Sequence, residues 1–340
     1  MTFQGLMTAL VTPFSGGRLD EDAFRALVRR QVDNGVQGLV PCGTTGEAPT
    51  LTSDEQAQLV EWTLEEARGQ VPVLAGIGSN STATAVLNAR RMAALGVDGV
   101  LATAPYYNKP PQAGLLEHFK AIAEAVDVEI CLYDVPGRSV INIAPSTVAE
   151  LAKIANVTAL KDATGDMANA TEVRRGCGAE FALLSGDHFT TLPFLAQGGQ
   201  GVISVASNVV PREMRELVDA ARSGDLETAS RLSERLFPLF RDLFVESNPI
   251  PAKAALAEMG LCQDDLRLPL VPMSSSARPS LLGAHRAGRA GLSLADGEPG
   301  QVPRANLRDI RVLRTRPNLV RYELPRAALD LHRLERRRVV

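Results

Sequence analysis

The stretch VTALKDATGD, positions 157–166, ends an apolar run with a lysine, Lys161. A run of this length reads as a buried strand. An ammonium drawn into a protein interior loses the hydration that favours its charged form, and a lysine relieved of its proton is a nucleophile. Such an amine forms Schiff bases with carbonyl compounds, and the imine then withdraws electrons from an adjacent carbon. The other chemically suggestive residues are hydroxyls and one cation. Thr44 and Thr45 lie in GTTGE (43–47), Tyr107 in PYYNKP (105–110), and Tyr133 and Arg138 open and close YDVPGR (133–138). Forming a Schiff base requires protons to be moved on and off a carbinolamine, and a phenol such as Tyr133 linked to a hydroxyl such as Thr44 can do that without charged intermediates. The glycines flanking Thr44 and Thr45 let backbone N–H groups face a small carboxylate. The planar fork of Arg138 suits bidentate capture of a second carboxylate. Each residue also has a plainer reading. Lys161 could pair with Asp162, Asp187 or another acid and only stabilise the fold, Tyr133 could be a packed rim aromatic, and Arg138 could be an ordinary exposed cation.

Other chemistries find little support. GTTGE has neither the P-loop pattern nor the spacing of a dinucleotide loop. The four histidines (His118, His188, His285, His332) show no ligand spacing, and the four cysteines (Cys42, Cys131, Cys177, Cys262) form no CxxC pair. No cofactor, metal or disulfide framework is therefore implied. Residues 1–272 are acidic on balance, which argues against nucleic acid as the ligand of the main body. No run of 18 apolar residues and no secretory signal is read after Met1, so the expectation is a cytoplasmic protein away from membranes.

Something must bring these scattered groups together. Eight β-rich runs (LMTALVTPF, GLVPCG, VPVLAGIG, GVLATAP, EICLYDVP, VTALKDAT, FALLSGD, GVISVAS) alternate with amphipathic helical stretches that carry Ser or Asp at the start and Gly at the exit. Strands apolar on both faces and joined by helices predict parallel pairing. Eight such units predict an α/β fold, a TIM (β/α)8 barrel, whose reactive groups stand at the C-terminal strand ends. The expected division is a barrel over 1–223, further C-terminal helices over 224–272, and an atypical tail over 273–340. That tail is rich in Arg, Gly, Pro and Ser and contains no Lys. Its composition predicts a solvated, poorly ordered extension rather than a binding element.

Five motifs in this order (GTTGE, PYYNKP, YDVPGR, LKDATGD and GVISVASN, 201–208) resemble the 4-hydroxy-tetrahydrodipicolinate synthase, or dihydrodipicolinate synthase, family of the class I pyruvate aldolase superfamily. The resemblance runs from about residue 3 to 272. It implies that Lys161 forms the Schiff base with pyruvate, whose carboxylate rests on Thr44 and Thr45 near the Ile203 backbone. It further implies a proton relay of Tyr133, Thr44 and Tyr107, with Tyr107 supplied by a neighbouring subunit of a dimer that pairs into a tetramer. Arg138 would then hold the carboxylate of L-aspartate 4-semialdehyde in a step towards diaminopimelate and lysine. The resemblance departs where the family senses lysine with an acid and a histidine. Here those positions hold Thr84 and Gln56, although Asn80 and Tyr106 match, so feedback by lysine is not implied. Two other readings remain open at this point: a Schiff-base lyase acting on N-acetylneuraminate or a 2-keto-3-deoxy sugar acid, and a barrel that binds a keto acid without turnover.

Overall fold

The computed structural model describes residues 3–281 and 283, and the strand backbones at 311–314 and 320–323. The chain divides into two units, Met1–Leu292 and Ser293–Val340.

The first unit opens with strand β1 (Gly5–Ala9) and a small antiparallel hairpin of β2 (Phe14–Ser15) and β3 (Arg18–Leu19). Seven further strands follow: β4 (Gly38–Val40), β5 (Leu74–Gly76), β6 (Gly99–Thr103), β7 (Glu129–Asp134), β8 (Val157–Asp162), β9 (Ala182–Ser185) and β10 (Gly201–Ser204). Between and after them run helices α1 (Glu21–Asp33), α2 (Ser53–Ala67), α3 (Thr82–Ala94), α4 (Gln112–Ala123), the short α5 (Pro136–Ser139), α6 (Pro145–Leu151), α7 (Met167–Cys177), α8 (Thr191–Ala196), α9 (Pro211–Ser223), α10 (Leu226–Asp242) and α11 (Ile250–Glu258). All eight predicted strands are present. They pair in parallel in the order β4-β1-β10-β9-β8-β7-β6-β5. The circuit closes between β4 and β5 through the parallel bridge Leu39↔Val73, supported by hydrogen bonds from Leu39 N–H to the Pro72 carbonyl and from Gly76 N–H to the Pro41 carbonyl, both 3.0 Å. The β/α barrel expected from the sequence is the observed architecture.

Local sequence explains where the helices begin. Asp20, Ser81, Asp166 and Asp225 each accept a first-turn backbone N–H at the start of α1, α3, α7 and α10. These bonds satisfy donors that a helix start leaves without partners. For α2 the cap is Thr52, one residue before the Ser and Asp that begin the helix. Its hydroxyl accepts the Glu55 N–H at 3.2 Å while the Glu55 carboxylate accepts the Thr52 N–H at 2.9 Å, forming a reciprocal capping box. After α9, the strongly amphipathic α10 and the almost wholly buried α11 continue along the barrel wall. Met273 and Leu281 are buried as well, so the chain remains packed on the first unit beyond α11.

Strand alternation divides the core into two apolar clusters. One fills the barrel and includes Phe3, Met7, Leu74, Leu101, Ala159 and Leu184; the other lies between strands and helices. On β7 and β8 this parity is decisive. Tyr133 pairs with Lys161 on the inside, while Asp134 pairs with Asp162 on the helix side.

In the second unit, Arg311–Arg314 (β11) and Val320–Glu323 (β12) form an antiparallel ribbon. Of the tail expected over 273–340, residues 273–281 and 283 belong to the described part of the first unit, and the rest apart from these two strands lies outside the described residues. Among the described residues, no helix is long and apolar enough to cross a membrane.

Two expectations for stability follow. Asp134 is fully buried, and Oδ2 accepts the Ile143 N–H at 3.1 Å while Oδ1 has no partner. Burial, reinforced by the neighbouring Asp162 charge, pushes its carboxyl up to about 7. The folded state thus keeps a proton that the unfolded chain releases, and stability falls as pH rises from about 4 through about 7. Asp134→Asn should flatten this decline, leaving the variant more stable than the parent at pH 8 by on the order of 2–4 kcal/mol, as read from urea unfolding at pH 5 and pH 8. At the barrel closure, a Cβ on Gly76 would collide with the Cys42 carbonyl. Gly76→Ala should therefore lower the unfolding free energy by about 1–3 kcal/mol in the same titration.

Candidate active site

Lys161 is the fifth residue of β8 and is only 6% exposed. Its Nζ lies 4.2 Å from the centroid of the Tyr133 ring, the residue registered beside it on β7. Gly186, just beyond β9, makes room for the lysine: a Cβ there would lie 3.0 Å from Lys161 Cε and 2.8 Å from Ala163 Cβ. The acids that could have neutralised Lys161 are occupied elsewhere. Asp162 accepts from the Thr164 N–H (2.8 Å), the Thr164 hydroxyl (2.6 Å) and Asn169 Nδ2 (3.2 Å). Asp187 accepts from the Thr190 N–H (2.9 Å) and hydroxyl (2.7 Å). The plainer reading of Lys161 as half of a stabilising ion pair thereby loses its two adjacent partners.

Thr44 and Thr45 follow β4 in a turn bounded by two non-glycine residues in the left-handed region, Cys42 (φ 57°) and Glu47 (φ 55°). Such conformations are uncommon outside glycine and persist where surroundings enforce them. Thr44 lines a cavity of about 230 Å3 together with Leu101, Thr103, Tyr106, Val135 and Arg138. Thr103 is registered beside Tyr133, so the cavity wall adjoins the Tyr133–Lys161 pair. Thr45 is buried, and its hydroxyl accepts from Asn248 Nδ2 at 2.9 Å. Arg138 sits in α5 and donates from Nη2 to the Asn248 carbonyl at 3.1 Å. One residue of the segment before α11 therefore touches both predicted carboxylate-binding elements. Ile203 faces the barrel interior on β10 in register with Met7.

Tyr107 is different. It is 86% exposed with φ 74°, and a single chain does not bring its phenol to Lys161 and Tyr133. The three-residue relay is therefore not assembled within one subunit.

Sequence reading passed over three contributors. Gly186 carries no signal beyond being a glycine after a strand. Asn248 lies more than 200 residues from the turn it touches. His188, considered only as a metal ligand, is buried, and its Nε2 accepts the N–H groups of Val205 (3.2 Å) and Ala206 (3.1 Å) with Ser204 Oγ 3.1 Å away. Accepting two backbone donors requires that nitrogen to be unprotonated, and burial holds the imidazole down at about 4. His188 thus fixes the exit of β10 immediately after Ile203. The four cysteines are free thiols; burial pushes those of Cys42 and Cys131 up to about 12, so they behave as inert packing groups. Among the described residues, no group of three or more His, Cys, Asp or Glu side chains is arranged to hold a metal ion.

Comparison with known proteins agrees with this geometry. The 4-hydroxy-tetrahydrodipicolinate synthases of Pelobacter propionicus and Syntrophus aciditrophicus are each 48% identical over 279 residues, which is 82% of this chain and 96% of those proteins. The crystal structure of dihydrodipicolinate synthase from Aquifex aeolicus superimposes with a TM-score of 0.83 at 42% identity, covering 86% of this chain and 100% of that one. The sequence model of the dihydrodipicolinate synthetase family matches residues 2–286. A barrel with a buried lysine at the end of β8, matched along nearly its whole first unit, places the chain in the dihydrodipicolinate synthetase family.

Proposed function

We propose that the chain is a lyase that condenses pyruvate with L-aspartate 4-semialdehyde, the 4-hydroxy-tetrahydrodipicolinate synthase reaction, with Lys161 as the group that carries it. The observation behind this reading is the Lys161 amine, buried against the Tyr133 ring while its neighbouring acids are engaged elsewhere. The amine adds to the pyruvate ketone, and loss of water leaves an imine. A methyl proton then departs to give an enamine, whose carbon attacks the aldehyde of the second substrate and forms the new C–C bond. The substrate's own amine next adds to the imine carbon, closing the heterocycle and expelling Lys161 as a free amine.

Tyr133 shuttles the protons of the imine steps, in a relay with the Thr44 hydroxyl. The turn holding Thr44 and Thr45 receives the pyruvate carboxylate, with the Ile203 backbone opposite. Arg138, tethered through Asn248 at the cavity wall, takes the carboxylate of the semialdehyde. That cation favours an amino-acid semialdehyde over a sugar acid, which calls for hydroxyl-binding groups instead. The solvent-facing phenol of Tyr107, carried on a left-handed backbone, completes the relay in a partner's site, and the working unit is a dimer, itself paired into a tetramer.

Borohydride added with pyruvate should reduce the imine, increase the mass of the protein and place the label on Lys161. Lys161→Ala should abolish labelling and lower turnover by at least about three orders of magnitude; a label on another lysine would refute the assignment. Cleavage assays with N-acetylneuraminate and 2-keto-3-deoxy sugar acids should show little activity beside condensation with the semialdehyde. Exchange of the phenol between subunits has its own test. Lys161→Ala and Tyr107→Phe, each poorly active alone, should regain activity when unfolded together and refolded as a mixture, because hybrid dimers contain one intact site. No recovery would mean that Tyr107 acts within its own chain or not at all.

A further inference from the structure

Glu47 ends the GTTGE turn, and Lys253 lies 206 residues later on α11; both side chains are completely buried. Lys253 Nζ is 2.7 Å from Glu47 Oε1, donates to the Thr12 carbonyl at 2.8 Å, and sits 4.4 Å from the centroid of the Phe14 ring. The other carboxylate oxygen, Oε2, accepts the Arg267 N–H at 3.2 Å. Both oxygens of Glu47 are therefore held by the C-terminal part of the first unit. Its backbone is left-handed, a conformation that costs a residue with a Cβ and must be enforced from outside.

That conformation bears directly on the two threonines. The Glu47 N–H donates to the Thr44 carbonyl and the Gly46 N–H to the Gly43 carbonyl, both at 3.1 Å, so the torsion at Glu47 closes the loop carrying Thr44 and Thr45. Thr12 adds a second route: its carbonyl accepts from Lys253, and its hydroxyl donates to the Gly46 carbonyl at 2.7 Å. Stability alone is a poor explanation for such a pair. Desolvating two charges offsets most of their attraction, and apolar replacements of similar size are often equally stable.

Building on the reading that Thr44 and Thr45 receive the keto-acid carboxylate, we propose that Glu47 and Lys253 are positioning residues that hold the Gly43–Glu47 turn in its binding geometry, so that helix α11 sets the affinity for pyruvate.

The test is the double variant Glu47→Gln/Lys253→Met, which removes both charges at nearly constant volume. Two quantities are read: the thermal unfolding midpoint, and the pyruvate concentration giving half-maximal borohydride labelling of Lys161. A midpoint close to that of the parent with half-saturation raised ~10-fold or more, and little change in labelling rate at saturating pyruvate, supports the proposal, because displacing a binding group by about an ångström costs affinity without touching the amine. A folded double variant with unchanged half-saturation overturns it. Should the double variant fail to fold, Glu47→Asp keeps the charge and withdraws the carboxylate by one methylene. A rise in half-saturation of ~3-fold or more then supports the proposal, and none overturns it. Failure of pyruvate to label the parent protein would sink the Schiff-base reading and this proposal together, whereas unchanged half-saturation removes this proposal alone.

Discussion

The arrangement depends on keeping one amine inside a closed barrel while its adjacent acids are turned away from it. Alternation along a strand achieves this. Lys161 and Tyr133 take the inward positions of β8 and β7, and their successors Asp162 and Asp134 are turned outward into the helix layer. A carboxylate adjacent in sequence is thereby denied to the lysine by the pleat itself. A one-residue slip of either strand would exchange the two rings and place acids inside the barrel. Register is thus the chemical specification of the site, and the ladders that fix it are as much part of the machinery as the side chains they display.

That separation has a cost, which falls on the outer ring. Two in-register acids lie between strands and helices, and Asp134, with one oxygen unpartnered, is driven towards its neutral form. Other local costs gather at the same end of the barrel, where Cys42 and Glu47 adopt left-handed backbones and Lys253 is wholly desolvated. The barrel's apolar interior and the larger cluster between strands and helices supply the compensating burial. Concentration of strain and buried charge at one end of an otherwise regular fold is what a functional face looks like in physical terms.

Much of this was legible from the chain. The eight strands could be read because parallel strands covered on both faces are nearly continuous apolar runs, and the helices because their caps and exits are local signals. Lys161 stood out because a charge at the end of such a run conflicts with its surroundings, and Tyr133 and Arg138 because a Pro-Gly turn binds them together in sequence. What escaped reading was held by contacts across the chain. Nothing near Asn248 announces that it meets Thr45, nothing in GTTGE announces that its glutamate meets Lys253, and nothing beside His188, weighed only as a metal ligand, announces that its ring nitrogen accepts two backbone donors. Residue type and spacing indicate which groups are reactive; the groups that hold them still become visible only once the barrel has closed.

The C-terminal helical region therefore does more than cover the wall: it contacts the turns that carry Thr45, Glu47 and Arg138. The inner groups, Lys161 and Tyr133, ride on strands hydrogen-bonded on both sides, which fixes them relative to one another. The outer groups ride on turns, which would wander without external anchors. Those anchors come from a single stretch of chain: Asn248 against Thr45 and Arg138, Lys253 against Glu47, and Arg267 against Glu55, the Thr50 carbonyl and Glu47. A barrel truncated after β10 would retain Lys161 and Tyr133 but lose the contacts that hold the turns of Thr45, Glu47 and Arg138. In this fold, rigidity at the Lys161 amine is intrinsic to the sheet, whereas rigidity at the turns around it is supplied by residues far downstream.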